Sequence, residues 1–262
     1  MKIILSRKGF DSASAGCPNP ILPDGTLLSM PIPSDDAVKY SDLRLNDYPY
    51  DRVLSGLKSR STFTNCHLDP DIRDGIRVNQ IDGWKPAFGQ TGSPLGILRN
   101  AGVGIGDIFL FFGLFCKTED MGNGSIGFVK KEKAIQVIYG YMQIGEILEK
   151  PELISQYPWH PHATSGRYNA AKNALYIPSD YLTLHPSMPG YGVFSYRDDR
   201  VLTKSGENAA TWEERDFLMP FNVVGNRKNC SKGSGIYYAG QWQELVLKPN
   251  PAAEKWVAGL MK

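Results

Sequence analysis

GILRNAGVGIGDIFLFFGLF, residues 96–115, decides the fold. Its first part reads as a short helix, glycines at 102, 104 and 106 turn the chain, and Ile108 onward is almost wholly apolar, the mark of a fully buried strand. IFLFFGLFC (108–116) is the longest apolar run, at nine residues, and a membrane-spanning helix needs ~20. A strand apolar on both faces has to be covered on both, so helices and loops must pack over a sheet.

Working outward, KIILS (2–6) predicts a second buried strand that ends in the polar loop RKGFDSASAG, followed by the turn-punctuated CPNPILPDGTLLSMPIP. KAIQVIYGYMQIGEILEK (133–150) predicts one or two strands rich in β-branched and aromatic residues. ALYIP (174–178), GVFSY (192–196) and QELVLK (243–248) predict three more, and DRVLSGLK (51–58) a short helix. In the tail NPAAEKWVAGLMK, Asn250 is placed to cap a helix that starts at Pro251 and puts Trp256 and Leu260 on one face. The stretches 117–133 and 198–216 read as surface loops. No internal repeat or low-complexity tract marks a boundary. The expectation is therefore an α+β fold: a single domain over residues 1–262, with a curved mixed β-sheet, flanking helices and a C-terminal closing helix.

At 42% apolar content, 262 residues are enough to bury a real core. The net charge of +2 leaves nucleic-acid contact to local patches such as Lys130, Lys131 and Lys133, or Arg227, Lys228 and Lys232. Cysteines at 17, 66, 116 and 230 form no CxxC pair, against a structural zinc site and a disulfide scaffold, and they fit a reducing cytoplasm. The four apolar residues in a row at the amino terminus are too few for a signal-peptide core, and with no apolar run long enough to span, no membrane protein is expected. There is no GxxxxGK[ST] loop, GxSxG elbow or HExxH helix, and GVGIGD precedes its strand, which is not the dinucleotide arrangement. Missing signatures favour direct hydrolysis or binding, with no cofactor.

TNCHLDPDIRDG (64–75) gathers the polar chemistry. A calcium loop fails, because the glycine arrives one place late at Gly75 and position twelve is Gln80. His67 and Asp69 match two ligands of a two-His-one-carboxylate iron site, with His160, His162 or His185 as a third. His67, Asp69 and Asp71 also stand at i, i+2 and i+4, so in extended chain they leave on one face as an acid/base cluster able to break a glycosidic bond. The remaining reading is a polar turn whose aspartates bond nearby backbone N–H groups.

Two further clusters accompany it. SRKGFDS (6–12) sets Arg7, Lys8, Asp11 and Ser12 beyond the first strand, suited to phosphate contact and to a carboxylate aimed at a substrate. WHPHA (159–163) carries His160 and His162 beside an aromatic. An extruded base would need stacking faces, for which Tyr141 is one candidate, and amides such as Gln90 and Gln143.

KIILSRKGFDSASAGCPNPILPDGTLLSMPIP, CHLDPDI, FGQTGSPLGILRNAGVGIGDIFLFFGLF, YGYMQIGEI, HPHA and GQWQELVL, in that order, resemble the nucleotide modification-associated domain 3 family. That resemblance implies a bacterial or phage-linked domain tied to hypermodified DNA bases, without implying the reaction. LRNAGVGIGDIFLFF and YGYMQIGEIL are also similar to the helix and strands of PUA-like domains.

The expectation for function is a glycosylase-like hydrolase that flips a hypermodified base, such as glucosylated hydroxymethylcytosine, out of double-stranded phage DNA and excises it as antiviral defence. Asp11, His67, Asp69 and Asp71 would be catalytic, with no metal. Arg7, Lys8, Ser12, Gln90, Gln143, Tyr141, His160 and His162 would bind substrate or DNA. The alternatives are a non-catalytic reader and an enzyme that installs the modification by group transfer or iron-dependent oxidation.

Overall fold

The buried strand predicted from Ile108 is the axis of the molecule, and it runs on to Gly122. The computed structural model describes all residues except 12, 58–63, 165–167, 226–230, 233–234 and 241. Nine strands form the main sheet: β1 (Ile3–Arg7), β2 (Asn19–Ile21), β3 (Phe88–Thr91), β4 (Ile108–Gly122), β5 (Ser125–Phe128), β6 (Ile135–Leu148), β7 (Asn173–Pro178), β8 (Tyr191–Val193) and β9 (Glu244–Leu247). Along its path the order is β9-β1-β4-β6-β7-β3, with β2 and β5 on β4 and β8 on β6. β1 and β2 run parallel to β4, whereas the other pairs are antiparallel, so the sheet is mixed. It curls into a half-barrel.

Side chains alternate across the sheet. Ile3 and Leu5 of β1, with Ile108, Leu110 and Phe112 of β4, face one core, which the closing helix α5 (Pro251–Leu260) covers through Ala253, Val257 and Leu260. Ile4, Phe109 and Phe111 face the other, against Leu95 and Leu98 of α2 (Gly92–Asn100). Each fully buried aliphatic or aromatic side chain contributes about 1.5–3 kcal/mol, and these strands supply such residues on both faces. In α5, Asn250 caps the first turn by accepting from the Ala252 N–H at 2.8 Å. Leu260 is buried as expected, while Trp256 sits at the margin of that face against Phe217.

The other predicted helix, α1, spans Tyr50–Gly56. The stretch 133–150 is a single long strand whose register shifts between Ile138 and Gly140. The expected loop 117–133 is instead largely a hairpin of β4 and β5. Its turn is Asn123-Gly124, both at positive φ, which matches the twist of paired strands. Two four-residue helices, α3 (Pro151–Ile154) and α4 (Pro161–Thr164), lie between β6 and β7. Among the described residues no helix is long and apolar enough to cross a membrane.

Candidate functional site

Where β1 ends, the backbone keeps one more bond to its neighbour, Lys8 N–H to Phe112 O at 2.8 Å, and then leaves the sheet. The opening so formed is a cleft of about 380 Å³ lined by Arg7, Lys8, Asp11, His67, Asp69, Gln90, His162 and Tyr168, among others. It joins three sequence clusters: the end of β1, the segment after the short strand Cys66–His67, and α4.

Two histidines present their Nε2 atoms to the cleft because their Nδ1 atoms are occupied. His67 Nδ1 lies 2.7 Å from Asp36 Oδ2, and a carboxylate can only accept, so Nδ1 carries the proton. Asp36 is held in turn by the Ser34 hydroxyl at 2.7 Å. His162 Nδ1 lies 2.6 Å from Asn173 Oδ1. The Asn173 amide is oriented by its own N–H donation to His162 O at 3.1 Å, so its oxygen faces the ring and Nδ1 is again the donor. Burial pushes the His162 pKa down to about 4, despite the nearby Asp69 charge, leaving the ring neutral with a free Nε2 lone pair. Tyr168 stacks on His162, with centroids 4.3 Å apart and planes 8° from parallel.

Asp69 stands beside them. Its Oδ1 accepts from the Gly89 N–H at 2.7 Å. His160 accepts from the His162 N–H through Nδ1 at 3.3 Å, so its proton is on Nε2, 3.3 Å from Asp69 Oδ1 but off the line of a good hydrogen bond. Burial alone would raise the Asp69 pKa. His160 and the positive charge of Lys8 outweigh it and hold the carboxyl well below the usual range, ionised at neutral pH. His67, Asp69 and His162 each offer a ligand atom, all within 4.8 Å of one another.

Gly89 makes the closeness possible. A Cβ there would stand 2.3 Å from His162 Cδ2, so only glycine lets β3 run directly beneath the ring.

The cations on the opposite wall already have partners. Arg7 pairs with Asp11 at 2.6 Å, and Lys8 Nζ lies 3.6 Å from Glu244 and 4.3 Å from the centre of the Phe88 ring. Glu244 is fully buried and accepts from Ser6 Oγ at 2.9 Å and Gln90 Nε2 at 2.7 Å. Burial raises its pKa, against the pull of Lys8, Ser6 and Gln90. Its Oε2 has no hydrogen-bond partner among the described residues.

The sequence clusters therefore separate. Arg7, Lys8, His67, Asp69, Gln90 and His162 come together in the cleft, with His160 directly behind Asp69. Asp11 lines the rim, but its carboxylate holds a turn, accepting from the N–H groups of Ala13 and Ser14 and from the Ser14 hydroxyl. Asp71 does not share the face of His67 and Asp69. The strand is only Cys66–His67, and Asp71 is buried in an ion pair with Arg77 at 2.6 Å, with Trp84 Nε1 donating to it at 2.9 Å. Tyr141 belongs to the core, its hydroxyl on Pro189 O, and Gln143 ties Gly106 to Thr183. Ser12 lies outside the described residues, as do Arg227 and Lys228. Asp36, Asn173, Glu244 and Gly89 escape sequence reasoning. The one available signal was Glu244, a charge opening the otherwise apolar run ELVL.

The family model of nucleotide modification associated domain 3 matches residues 2–248. No curated protein and no solved structure matches the chain.

Proposed function

The chain belongs to the nucleotide modification associated domain 3 family, and from that premise we propose that it is a hydrolase that releases a hypermodified base from DNA as antiviral defence. One observation carries this reading: an ionised Asp69 whose carboxylate lies within 4.8 Å of a ring nitrogen of each of His67 and His162, in the lining of a cleft large enough for a nucleobase. Cleavage of an N-glycosidic bond builds positive charge on the sugar, and a fixed anion beneath it stabilises that charge.

The base, turned out of its stack, would rest against Tyr168, and Gln90 would face its polar edge. Arg7 and Lys8, each beside a carboxylate, would also face backbone phosphates. A water oriented by His67 and His162 attacks C1′. Its oxygen bonds to C1′, the C1′–N bond breaks with its electron pair going to the base, and the water's proton ends on the base nitrogen. The products are a free base and an abasic sugar.

The test is incubation with unmodified, hydroxymethylated and glucosylated phage DNA, followed by mass spectrometry for free base and alkali treatment for abasic sites. Release from modified DNA alone is expected. Retained DNA with no release would make the protein a reader, and a base returned with altered mass would make it a modifying enzyme. Either result overturns the hydrolase reading.

A further inference from the structure

We propose that His67, Asp69 and His162 bind one divalent transition-metal ion, and that a water on this ion is the attacking nucleophile. The identity of the reaction rests on the hydrolase reading above, while the metal site stands on geometry alone.

The three donors converge, and among the described residues they are the one group of His, Cys, Asp or Glu side chains placed to do so. Each ligand is also fixed from behind, as ligands of working metal centres are. Asp36 holds the Nδ1–H of His67, Asn173 holds that of His162, and the Gly89 N–H holds Asp69 Oδ1. Only the two Nε2 atoms and Asp69 Oδ2 remain. Three ligands on one side leave the other side of an ion open to water and substrate, toward the cleft.

The donor set selects the ion. Two imidazole nitrogens and one carboxylate suit zinc, iron(II) or cobalt, whereas magnesium and calcium prefer oxygen ligands throughout. Ligands about 2.1 Å from an ion at right angles stand about 3 Å apart, so the three atoms, now within 4.8 Å of one another, close further around an ion. An ion here would lower the pKa of its water toward neutrality. That water's oxygen bonds to C1′, the base nitrogen keeps the electron pair of the broken bond and takes the proton, and nothing is oxidised or reduced.

The full chain, stripped with chelator and desalted, is loaded with Zn²⁺, Co²⁺, anaerobic Fe²⁺ or Mg²⁺, and retained metal is counted by mass spectrometry. One equivalent of a transition metal is expected, with no magnesium and with a visible absorption band for cobalt. His67→Ala and His162→Ala should weaken binding at least 100-fold, and Asp36→Asn, which loosens His67 without removing a ligand, by about 10- to 100-fold. Arg7→Ala should bind like wild type. Circular dichroism reports folding, and His67→Gln or His162→Gln replaces the alanine variant at that position if it fails to fold. If wild type retains no ion, or the histidine variants retain it equally, the metal site is wrong. Base release insensitive to chelator would remove the metal and leave the hydrolase. Stoichiometric metal with no release from any DNA would leave the site and remove the hydrolase.

Discussion

Asp69 and Asp71 stand two positions apart and end in opposite surroundings. Asp69 has one oxygen secured by the Gly89 N–H, with His160 behind it, and the other turned to the cleft. Asp71 has both oxygens consumed, Oδ1 and Oδ2 by Arg77 and Oδ2 again by Trp84, and is fully buried. The first arrangement leaves an anion with bonding capacity to spare, while the second closes a charge pair and braces residues 71–84. Equal residue type thus says nothing about role; what remains unbonded does.

The comparison breaks most sharply at Asp69. Asp69→Asn should lower base release by about 10²- to 10⁴-fold, with little change in the melting curve. A variant as active as wild type would remove Asp69 from the chemistry.

Asp71→Ala should do the reverse. It strands Arg77 in a nearly buried position, and breaking such a pair costs about 3–5 kcal/mol in chemical unfolding. Activity per folded molecule should persist. Lost activity at unchanged stability would place both aspartates in one functional cluster.

Gly89→Ala sharpens the cleft side. The added methyl group displaces His162 without touching Asp71's partners, so turnover should fall roughly 10- to 100-fold, as small misplacements of reacting groups do. The folded signature should stay the same.

The smallest effect is a slope, read from urea unfolding of wild type and Glu244→Gln between pH 4.5 and 8. Burial raises the Glu244 pKa from 4.5, so the folded chain holds that proton more tightly than the unfolded one. The stability this gives is complete below pH 4.5 and is lost as pH rises through the folded value. Wild-type stability relative to Glu244→Gln should therefore decline with rising pH. A rise would mean that the Lys8 pair outweighs burial.

What the sequence made legible follows from the range of the interactions. The strands at 2–6, 108–116 and 133–150 were readable because apolar runs are local, and Asn250-Pro251 announced the closing helix for the same reason. The β4–β5 hairpin was missed because its signal, Asn123-Gly124, sits among polar residues that resemble a loop. In the site, His67 and Asp69 were visible as neighbours and His162 as one of three candidates. Asp36, Asn173 and Glu244 were not, since each matters through a partner that only the fold brings near: Asp36 is 31 positions from His67, and Glu244 is 154 from Gln90. The one-face reading of Asp71 failed because alternation holds only while the chain is extended, and here the strand stops at His67.

Strand β1 lies between β9 and β4, both distant from it in sequence, and this order has a consequence for synthesis. Ile3 pairs with Leu247 on one side and Ile108 on the other. A chain still on the ribosome with Glu244 unmade has no counter-charge behind Lys8 and no acceptor for Gln90 Nε2. The wall of the cleft that carries Lys8 and Gln90 is complete only once β9 is in place, so fragments lacking that strand should be chemically silent.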